Sequence, residues 1–280
     1  TFFMFTYIFI TGVPITNRPV GKERSQDLLD EYVDFLLSLF ELDKSKRKLK
    51  VVIDAGNGMA GYTAPAVMAK LPVEVVEMYF ELDGNFPNHE ANPIEPSNLV
   101  DLQKRVKKEK ADIGLAFDGD ADRCFVIDEK GEPVTPSAVA AMVARREIAR
   151  VRSQGDTSEL TVLYNLITSK IVSEVIAKDG AKGERTKVGH SLIKDRMAAT
   201  NAIFGGEHSA HYYFRDFWGA DNGMLAAMHV LAEFGHQPLP LSELALEYNP
   251  YFLSGEINST VSDVAAAKAR VQDAFSQRGE

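Results

Sequence analysis

Residues 112–128 read DIGLAFDGDADRCFVID, and this stretch indicates the kind of fold to expect. Two apolar runs typical of buried strands, 112–117 and 124–128, flank a loop that contains Asp118, Asp120 and Asp122. Three like charges within five residues repel one another, so a folded chain tolerates them only where a positive partner lies among them. In open α/β sheets, ligands bind beyond the carboxyl ends of the strands, where this loop would stand.

The alternation of strand and helix patterns extends outward from this stretch in both directions. Helical spacing of apolar residues is found at 27–40, 97–110, 136–152, 168–179 and 221–235. The strand-type runs are 49–54, 73–80, 112–117, 124–128, 160–166, a strand running into 204–209, and 211–214, and the segment 186–189 precedes a helix from Ser191. We therefore expect an α/β protein of two similar three-layer domains with mostly parallel sheets, over 21–133 and 134–253.

The composition limits the classes of partner. The 280 residues carry a formal net charge of −9, which favours neither nucleic acid nor an anionic membrane surface. The apolar run before Arg18 is too short to span a bilayer and lacks the basic start and small-residue cleavage site of a signal peptide. Cys124 is the single cysteine, so an internal disulfide is impossible and we expect a cytoplasmic protein.

The aspartate loop, residues 118–123, predicts a magnesium site. Carboxylates at i, i+2 and i+4 with small residues between them can converge on one hard divalent cation. Mg²⁺ also keeps coordination positions for water or phosphate oxygen. Arg123 follows the third aspartate and offers a planar, bidentate donor for phosphate. The loop therefore indicates a metal ion that bridges the protein and a phosphoryl group.

Two other interpretations of this loop are open. The first is a calcium-binding EF-hand, because the three aspartates and Glu129 have its ligand spacing. Arg123, however, stands where that loop needs glycine, and strand patterns replace the flanking helices. The second is a solvated turn with incidental acids, which the apolar runs on both sides disfavour. Cys124 is better explained as a small buried hydrophobe than as a nucleophile, because nearby carboxylates disfavour its thiolate.

A second group of polar residues lies in two glycine-marked segments, KVGHSLIK (187–194) and GGEHSAHYYF (205–214). A carboxylate and a hydroxyl two residues apart suit vicinal sugar hydroxyls, histidines suit proton transfer near neutral pH, and lysines supply the charge that a phosphate needs. The candidates in these segments are Lys187, His190, Lys194, Glu207, Ser209 and His211.

At these motifs the chain resembles the α-D-phosphohexomutase family, in particular its bacterial phosphomannomutases of actinobacterial type. AFDGDADR resembles the family's metal loop, VGHSLIK its third-domain loop and GGEHSAHYYF its sugar-recognition loop, and DAGNGMAG and FPNHEANP are similar to second-domain segments. The resemblance implies a four-domain isomerase whose first three domains share an α/β fold. Residues 1–20 would then be a remnant of domain one and 254–280 the start of domain four.

The resemblance also implies a mechanism, in which a phosphoserine of domain one interconverts mannose 6-phosphate and mannose 1-phosphate through a bisphosphate. Hexose phosphates and a hexose bisphosphate would be its ligands, with the choice between mannose and glucose open, in a monomer or weak dimer. The implied roles are Mg²⁺ binding by Asp118, Asp120 and Asp122, phosphate contact by Arg123, sugar contact by Glu207 and Ser209, and a cleft lined by His190 and His211, one of which would assist proton transfer.

Two parts of the family pattern are missing from the 280 residues. No serine loop of the T-A-S-H-N-P kind is present, and Ser25 lies in the charged stretch KERSQD; a C-terminal phosphate loop of the R-x-S-x-T kind is also absent. We therefore expect weak Mg²⁺ binding and no mutase activity from this chain alone. The alternatives are a non-catalytic remnant that binds sugar phosphate, and a Mg²⁺-dependent phosphatase of the haloacid-dehalogenase type.

Overall fold

The computed structural model describes residues 25–40, 47–252 and 259–276, and its first sheet carries the aspartate loop. The strands of this sheet are β1 (Leu49–Asp54), β2 (Val73–Met78), β3 (Ile113–Phe117), β4 (Cys124–Asp128) and β5 (Pro133–Val134). Their order is β2-β1-β3-β4-β5, with β1 parallel to β2 and β3, and with β4 antiparallel to β3 and β5. Buried side chains fill β1, β3 and β4 almost completely, as expected for strands covered on both faces.

The second sheet repeats this arrangement. Its strands are β6 (Thr161–Asn165), β7 (Lys182–Thr186), β8 (Phe204–Gly206), β9 (Tyr212–Phe214) and β10 (Ala220–Asp221). The order is β10-β9-β8-β6-β7, with β6 parallel to β7 and β8, followed by two antiparallel pairings. Three of the five strands in each sheet are therefore parallel, and β6 to β10 correspond one by one to β1 to β5. The predicted class, two similar α/β domains, is confirmed.

Helices join the strands and cover the sheets. They are α1 (Leu29–Ser38), α2 (Ala60–Met68), α3 (Val100–Glu109), α4 (Pro136–Ser153), α5 (Lys170–Lys178), α6 (His190–Thr200), α7 (Gly223–Gly235), α8 (Leu241–Glu247) and α9 (Val264–Phe275), with a 3₁₀ turn at Pro96–Leu99. Side-chain caps begin the two most buried helices: Thr135 accepts from Ala138 N before α4, and Asn222 accepts from Leu225 N before α7.

The two sheets share one hydrophobic core. Helices α4 and α7 pack against β4 of the first sheet, and α4 also packs against β8 of the second. Polar contacts lock the junction: Glu129, after β4, accepts hydrogen bonds from the backbone and the hydroxyl of Ser242 in α8. Asn222 Nδ2 donates to the Tyr32 hydroxyl of α1 at 3.3 Å. The cleft residues described below are therefore held by a continuous core.

Some elements differ from the sequence-based expectation. The strand before α6 is β7 at Lys182–Thr186, earlier than the segment 186–189, and the short β5, β10 and α8 carried no recognised pattern. The expected remnant of domain one at residues 1–20 lies outside the described residues, and within the expected start of domain four, residues 254–280, the structure describes α9. The domain boundaries stay predictions. In the part of the chain that the structure describes, no helix is long and apolar enough to cross a membrane.

Candidate active site

The aspartate loop connects β3 to the antiparallel β4 in a tight turn, with Ala121 at φ 63°. Asp118 is buried, Asp122 is half-buried and Asp120 is exposed. One carboxylate oxygen from each lies within 4.8 Å of those from the other two. The loop thus presents three carboxylates to one point, with one of them anchored and one facing solvent.

The carboxylates of this loop carry more negative charge than the neighbouring side chains neutralise. Burial, followed by repulsion from Asp118, Asp120 and Asp221, raises the pKa of Asp122 to about 7. Burial and then Asp118 also raise the pKa of Asp120. Asp122 Oδ1 is buried and accepts no hydrogen bond from the described residues. Three converging carboxylates with an orphaned oxygen fit a hard divalent cation such as Mg²⁺.

Arg123 is fixed beside the carboxylates by two neighbours. Its backbone N–H donates to Asp118 Oδ1 at 3.1 Å and its Nε donates to Asp118 Oδ2 at 2.7 Å. Its Nη1 donates to Asn92 Oδ1 at 3.2 Å, so the FPNHEANP segment also holds the guanidinium. The planar head is thereby oriented before any ligand arrives, which lowers the entropic cost of binding an anion.

Two turns of the first domain support the loop from below. Met59 N donates to Gly119 O at 3.0 Å, and a Cβ at Gly58 would lie 2.6 Å from the same oxygen, so only glycine allows this approach. His89 Nε2 lies 3.1 Å from Asp54 Oδ2 at the end of β1. This hydrogen bond is the main reason that the pKa of His89 is raised to about 9. The turns DAGNGMAG and FPNHEANP therefore form a rigid platform under the aspartate loop.

The loop between β8 and β9 carries the second group of candidates. Glu207 is buried, and both of its oxygens accept hydrogen bonds: Oε1 from Asn165 Nδ2 at 3.1 Å and Oε2 from the Tyr213 hydroxyl at 2.8 Å. Burial and the carboxylate raise the pKa of Tyr213, so it stays a donor. Glu207 is therefore held in one position, with acceptor capacity left on each oxygen.

Ser209 and His211 face each other in the same loop. Ser209 Oγ lies 2.9 Å from His211 Nδ1. Burial is the largest influence on His211 and lowers its pKa, so its imidazole is neutral at neutral pH. The imidazole Nε2 lies 3.7 Å from Asp122 Oδ1 of the other loop. His211 is thus a neutral base placed between the serine and the carboxylates.

Helix α6 contributes His190 and Lys194, four residues apart on one face. His190 Nδ1 lies 3.2 Å from the Tyr213 hydroxyl, and Lys194 Nζ lies 3.0 Å from His190 Nε2. Both side chains face Asp221 at the end of β10: Lys194 Nζ is 2.9 Å from Asp221 Oδ1 and His190 Nδ1 is 3.2 Å from Asp221 Oδ2. The cleft wall therefore continues from His211 to α6.

Backbone contacts bring the two loops together. Arg123 and His211 form an isolated antiparallel β-bridge across the junction of the two sheets. Gly223, the first residue of α7, packs on this point, since a Cβ there would lie 2.7 Å from the Arg123 carbonyl oxygen. The aspartate loop and the 207–211 loop thus line one cleft. Lys187 is exposed after β7, and its side chain has no hydrogen bond or ion pair with another described residue.

Sequence reasoning missed four polar residues of this cleft, which are Asn92, Asn165, Tyr213 and Asp221. Asn92 follows a turn pattern, and Asn165 and Asp221 end strands, which is a usable signal only once the strands are known. Ser25 is exposed and lines a pocket with Asp27 and Tyr62.

The structure also decides two of the open interpretations. Strands β3 and β4 flank the aspartate loop, and Glu129 accepts hydrogen bonds from Ser242, so the EF-hand is excluded. Cys124 is fully buried in β4, and burial followed by Asp118 raises the pKa of its thiol well above the ordinary value. The interpretation of Cys124 as a core residue is confirmed.

Two repeated α/β domains that meet at a carboxylate loop and a histidine-lined wall define a multidomain α/β protein with a polar cleft between its domains. The chain belongs to the phosphoglucomutase/phosphomannomutase family. Residues 30–131 match the family's alpha/beta/alpha domain II and residues 135–251 match its alpha/beta/alpha domain III. The resemblance inferred from the motifs is therefore confirmed at the level of the family and of these two domains.

Relatives of known name agree with this assignment. A phosphomannomutase of Salmonella montevideo is 35% identical over 273 residues, which cover 95% of this chain and 58% of that protein. A protein named phosphohexose mutases, from Xanthomonas campestris pv. campestris (strain ATCC 33913), is 37% identical over 257 residues, covering 90% and 55%. Enzymes with these names are isomerases. The chain spans a little over half the length of these curated relatives.

A solved structure shares both the fold and a considerable part of the sequence. The crystal structure of a phosphoglucomutase/phosphomannomutase family protein from Burkholderia thailandensis superposes with a TM-score of 0.72 at 32% identity. The superposition covers 80% of this chain and 47% of that chain.

Proposed function

We propose that this chain supplies the second and third α/β domains of a phosphohexomutase that interconverts mannose 6-phosphate and mannose 1-phosphate. One observation carries the proposal: the aspartate loop, with its orphaned Asp122 oxygen, faces the Glu207–His211 loop across a single backbone bridge. A cleft with a cation-binding end and a hydroxyl-binding end suits a phosphorylated sugar. Mannose phosphates are the first choice of substrate because the relatives at about a third identity are named phosphomannomutases.

At the cation-binding end, Asp118, Asp120 and Asp122 would hold Mg²⁺. When bound, the ion would supply positive charge that offsets the charge of a transferring phosphoryl group. Arg123 acts beside it: the Asn92 and Asp118 contacts orient the guanidinium so that its donors can receive phosphate oxygens without reorganisation.

At the other end, Glu207 and Ser209 would bind sugar hydroxyls. Each Glu207 oxygen keeps one acceptor position after its contact with Asn165 or Tyr213, so the carboxylate can receive hydroxyl donors from a fixed position. His211, neutral and 2.9 Å from Ser209, is placed to take a proton from a sugar hydroxyl as that oxygen attacks phosphorus. His190 would line the cleft, and Lys187 and Lys194 would supply positive charge for the second phosphate.

The full reaction would pass through a phosphoserine and a hexose bisphosphate. The 280 residues contain no serine loop of the kind that carries the phosphoryl group in this family. We therefore expect this chain alone to bind Mg²⁺ and hexose phosphate without interconverting the two phosphates.

The test is a ³¹P NMR time course of the chain with mannose 1-phosphate, catalytic glucose 1,6-bisphosphate and Mg²⁺. We expect Mg²⁺-dependent broadening of the sugar-phosphate signal without conversion. Asp120→Asn should remove the broadening, and Asp273→Asn on the exposed helix α9 should not. Broadening that survives Asp120→Asn, or no broadening at all, would contradict the proposed site.

Two outcomes of the same experiment separate the alternatives. Conversion to mannose 6-phosphate would show that the chain contains a phosphoryl carrier and would overturn the expected inactivity. Release of inorganic phosphate would instead favour a Mg²⁺-dependent phosphatase with an aspartate nucleophile. Broadening without turnover, even after the phosphoserine-bearing part of a relative is supplied, would favour a non-catalytic sugar-phosphate-binding protein.

A further inference from the structure

A second group of metal-ligand side chains lies beside the aspartate loop and shares no residue with it. His190, His211 and Asp221 each bring one ligand atom within 4.8 Å of those of the other two. We propose that this cluster, the histidine site, binds a divalent transition-metal ion of the Zn²⁺, Co²⁺ and Ni²⁺ class. Bound there, the ion would occupy part of the sugar-phosphate cleft, a consequence that rests on the proposed function.

A cation already occupies part of the histidine site. The Lys194 ammonium lies 2.9 Å from Asp221 Oδ1 and 3.0 Å from His190 Nε2. An ammonium group can only donate hydrogen bonds, so His190 Nε2 is the unprotonated acceptor. An imidazole lone pair and a carboxylate oxygen therefore point at one cation, which is the donor pair that transition metals prefer.

Asp221 supplies an independent observation. Its side chain is only 5% exposed; Lys194 Nζ lies 2.9 Å from Oδ1, and the buried Oδ2 faces His190 Nδ1 at 3.2 Å without forming a hydrogen bond to a described residue. This buried carboxylate is offset by one ammonium and one imidazole edge, and a divalent ion would bring it more positive charge than the single ammonium does. Asp221 also lies near Asp122 of the aspartate loop, so this part of the cleft holds several carboxylates that attract cations.

The ligand geometry allows the site to close. Tetrahedral zinc has metal–ligand distances of about 2.0–2.2 Å, which place its ligand atoms about 3.4 Å apart. Starting from separations within 4.8 Å, side-chain movements of about an ångström are enough. His190 can make them because its side chain is half exposed at the start of α6. Three protein ligands would leave the fourth position for water, as in an exchangeable zinc site.

The chemistry of the ligands separates this site from the aspartate loop. Two imidazoles and one carboxylate favour borderline transition metals, whereas the all-carboxylate loop favours Mg²⁺. An ion bound through a His211 nitrogen would occupy a lone pair, so it would interfere with the proton transfer that we assign to this residue.

The experiment is a calorimetric titration of the full chain with Zn²⁺ in saturating Mg²⁺, and a parallel Co²⁺ titration followed by d–d absorption. We expect one Zn²⁺ per chain and a four- or five-coordinate Co²⁺ spectrum. His190→Gln should weaken Zn²⁺ binding more than about tenfold, by the loss of a direct ligand. His208→Gln is the matched control, because His208 lies in the loop that carries His211 but faces Ser137.

Lys194→Met tests the role of the resident ammonium. Removing it should tighten Zn²⁺ binding at least severalfold, because the metal no longer has to displace a cation. Circular dichroism and thermal unfolding check that each variant is folded, and His190 is exposed enough to be replaced without a core defect.

Three results would overturn the proposal: unchanged Zn²⁺ affinity in His190→Gln, loss of Zn²⁺ binding in Asp120→Asn, or weaker Zn²⁺ binding in Lys194→Met. None of these depends on sugar-phosphate binding, so the metal site and the proposed function can fail separately.

Discussion

Arg123 and His211 pair through their backbones, and each immediately precedes the corresponding strand of its own sheet, β4 for Arg123 and β9 for His211. The aspartate loop and the Glu207–His211 loop are therefore the same hairpin connection in two repeats of one fold. One copy carries carboxylates and an arginine, and the other carries a glutamate, a serine and histidines. The two copies of this turn face each other, and their different side chains give the cleft two chemically different ends.

The raised pKa of Asp122 makes the stability of the metal-free chain depend on pH. The folded state raises this pKa from 3.8 to about 7, so between these values the folded chain holds a proton that the unfolded chain releases. Stability therefore falls as the pH rises through this window. Asp122→Asn should raise the free energy of unfolding at pH 8 by on the order of 1–3 kcal/mol, with little change at pH 4.

Urea denaturation in EDTA at both pH values measures this effect. Asp34→Asn, on the exposed face of α1, is the control. Adding Mg²⁺ should stabilise the unmodified chain more than the Asp122 variant, because ligands that bind only the folded state stabilise it. A destabilised Asp122→Asn at pH 8 would contradict the idea of unmet charge in the loop.

Much of the fold could be predicted because its central strands are nearly continuous apolar runs. LKVVID and CFVID become β1 and β4 with the predicted bounds. The strand β7, KGERT, could not be recognised, because it is an edge strand whose side chains are mostly exposed and whose register is set by pairing with β6. The short β5 and β10 likewise depend on their neighbours rather than on their own residues.

The candidate site divides in a similar way. Local sequence motifs predict the aspartate loop and the Glu207–His211 loop, because in each of them several polar residues follow an apolar strand. Asp221 and Asn92 are single residues that reach the cleft only through the packing of β10 and of the FPNHEANP turn. Their roles depend on contacts between distant parts of the chain, which a local pattern does not contain.

His89 gives a second pH-dependent contribution, and stability again falls as the pH rises. Its pKa rises from 6.5 to about 9, chiefly through the hydrogen bond with Asp54. A base with a raised folded-state pKa stabilises the protein fully below the lower value and loses this contribution as the pH rises through the higher one. His89→Gln should therefore cost about 1–2 kcal/mol at pH 6 and much less at pH 10. Chemical denaturation at pH 6 and pH 10 measures the two free energies of unfolding, with exposed Glu90→Gln as the control. An equal loss of stability at both pH values would contradict the assigned role of the His89–Asp54 hydrogen bond.

The Glu129–Ser242 contact should stabilise the junction of the domains. Both carboxylate oxygens of Glu129 accept hydrogen bonds from Ser242, and these bonds orient the start of α8. Burial alone would raise the pKa of Glu129, but the hydrogen bonds from Ser242 outweigh it and the pKa is lowered. Glu129→Ala should lower the free energy of unfolding by about 1–3 kcal/mol. Exposed Glu132→Ala is the matched control. Hydrogen exchange should also speed up in α8; equal exchange in both variants would show that the contact is not needed for docking.

Gly223 provides the sharpest test of the way in which the cleft is built. A Cβ at this position would meet the Arg123 carbonyl oxygen at 2.7 Å and the Ala121 carbonyl oxygen at 2.9 Å, and both are backbone atoms that cannot turn aside. Gly223→Ala must therefore push α7 away from the aspartate loop or displace the loop itself. Such overpacking costs about 1–3 kcal/mol, which a chain with a continuous core can tolerate.

Gly223→Ala should affect ligand binding more than it affects the stability of the chain. Displacing Arg123 moves the loop relative to His211, so Gly223→Ala should weaken Mg²⁺-dependent sugar-phosphate binding strongly while the chain stays folded. Gly84→Ala is the control, since a Cβ there meets no atom within 4 Å and should change neither property. Calorimetric binding, together with thermal unfolding of both variants, compares the two effects. If Gly223→Ala bound the sugar phosphate normally, the Arg123–His211 contact could not be what aligns the two ends of the cleft, and the alignment would have to come from the core helices α4 and α7 alone.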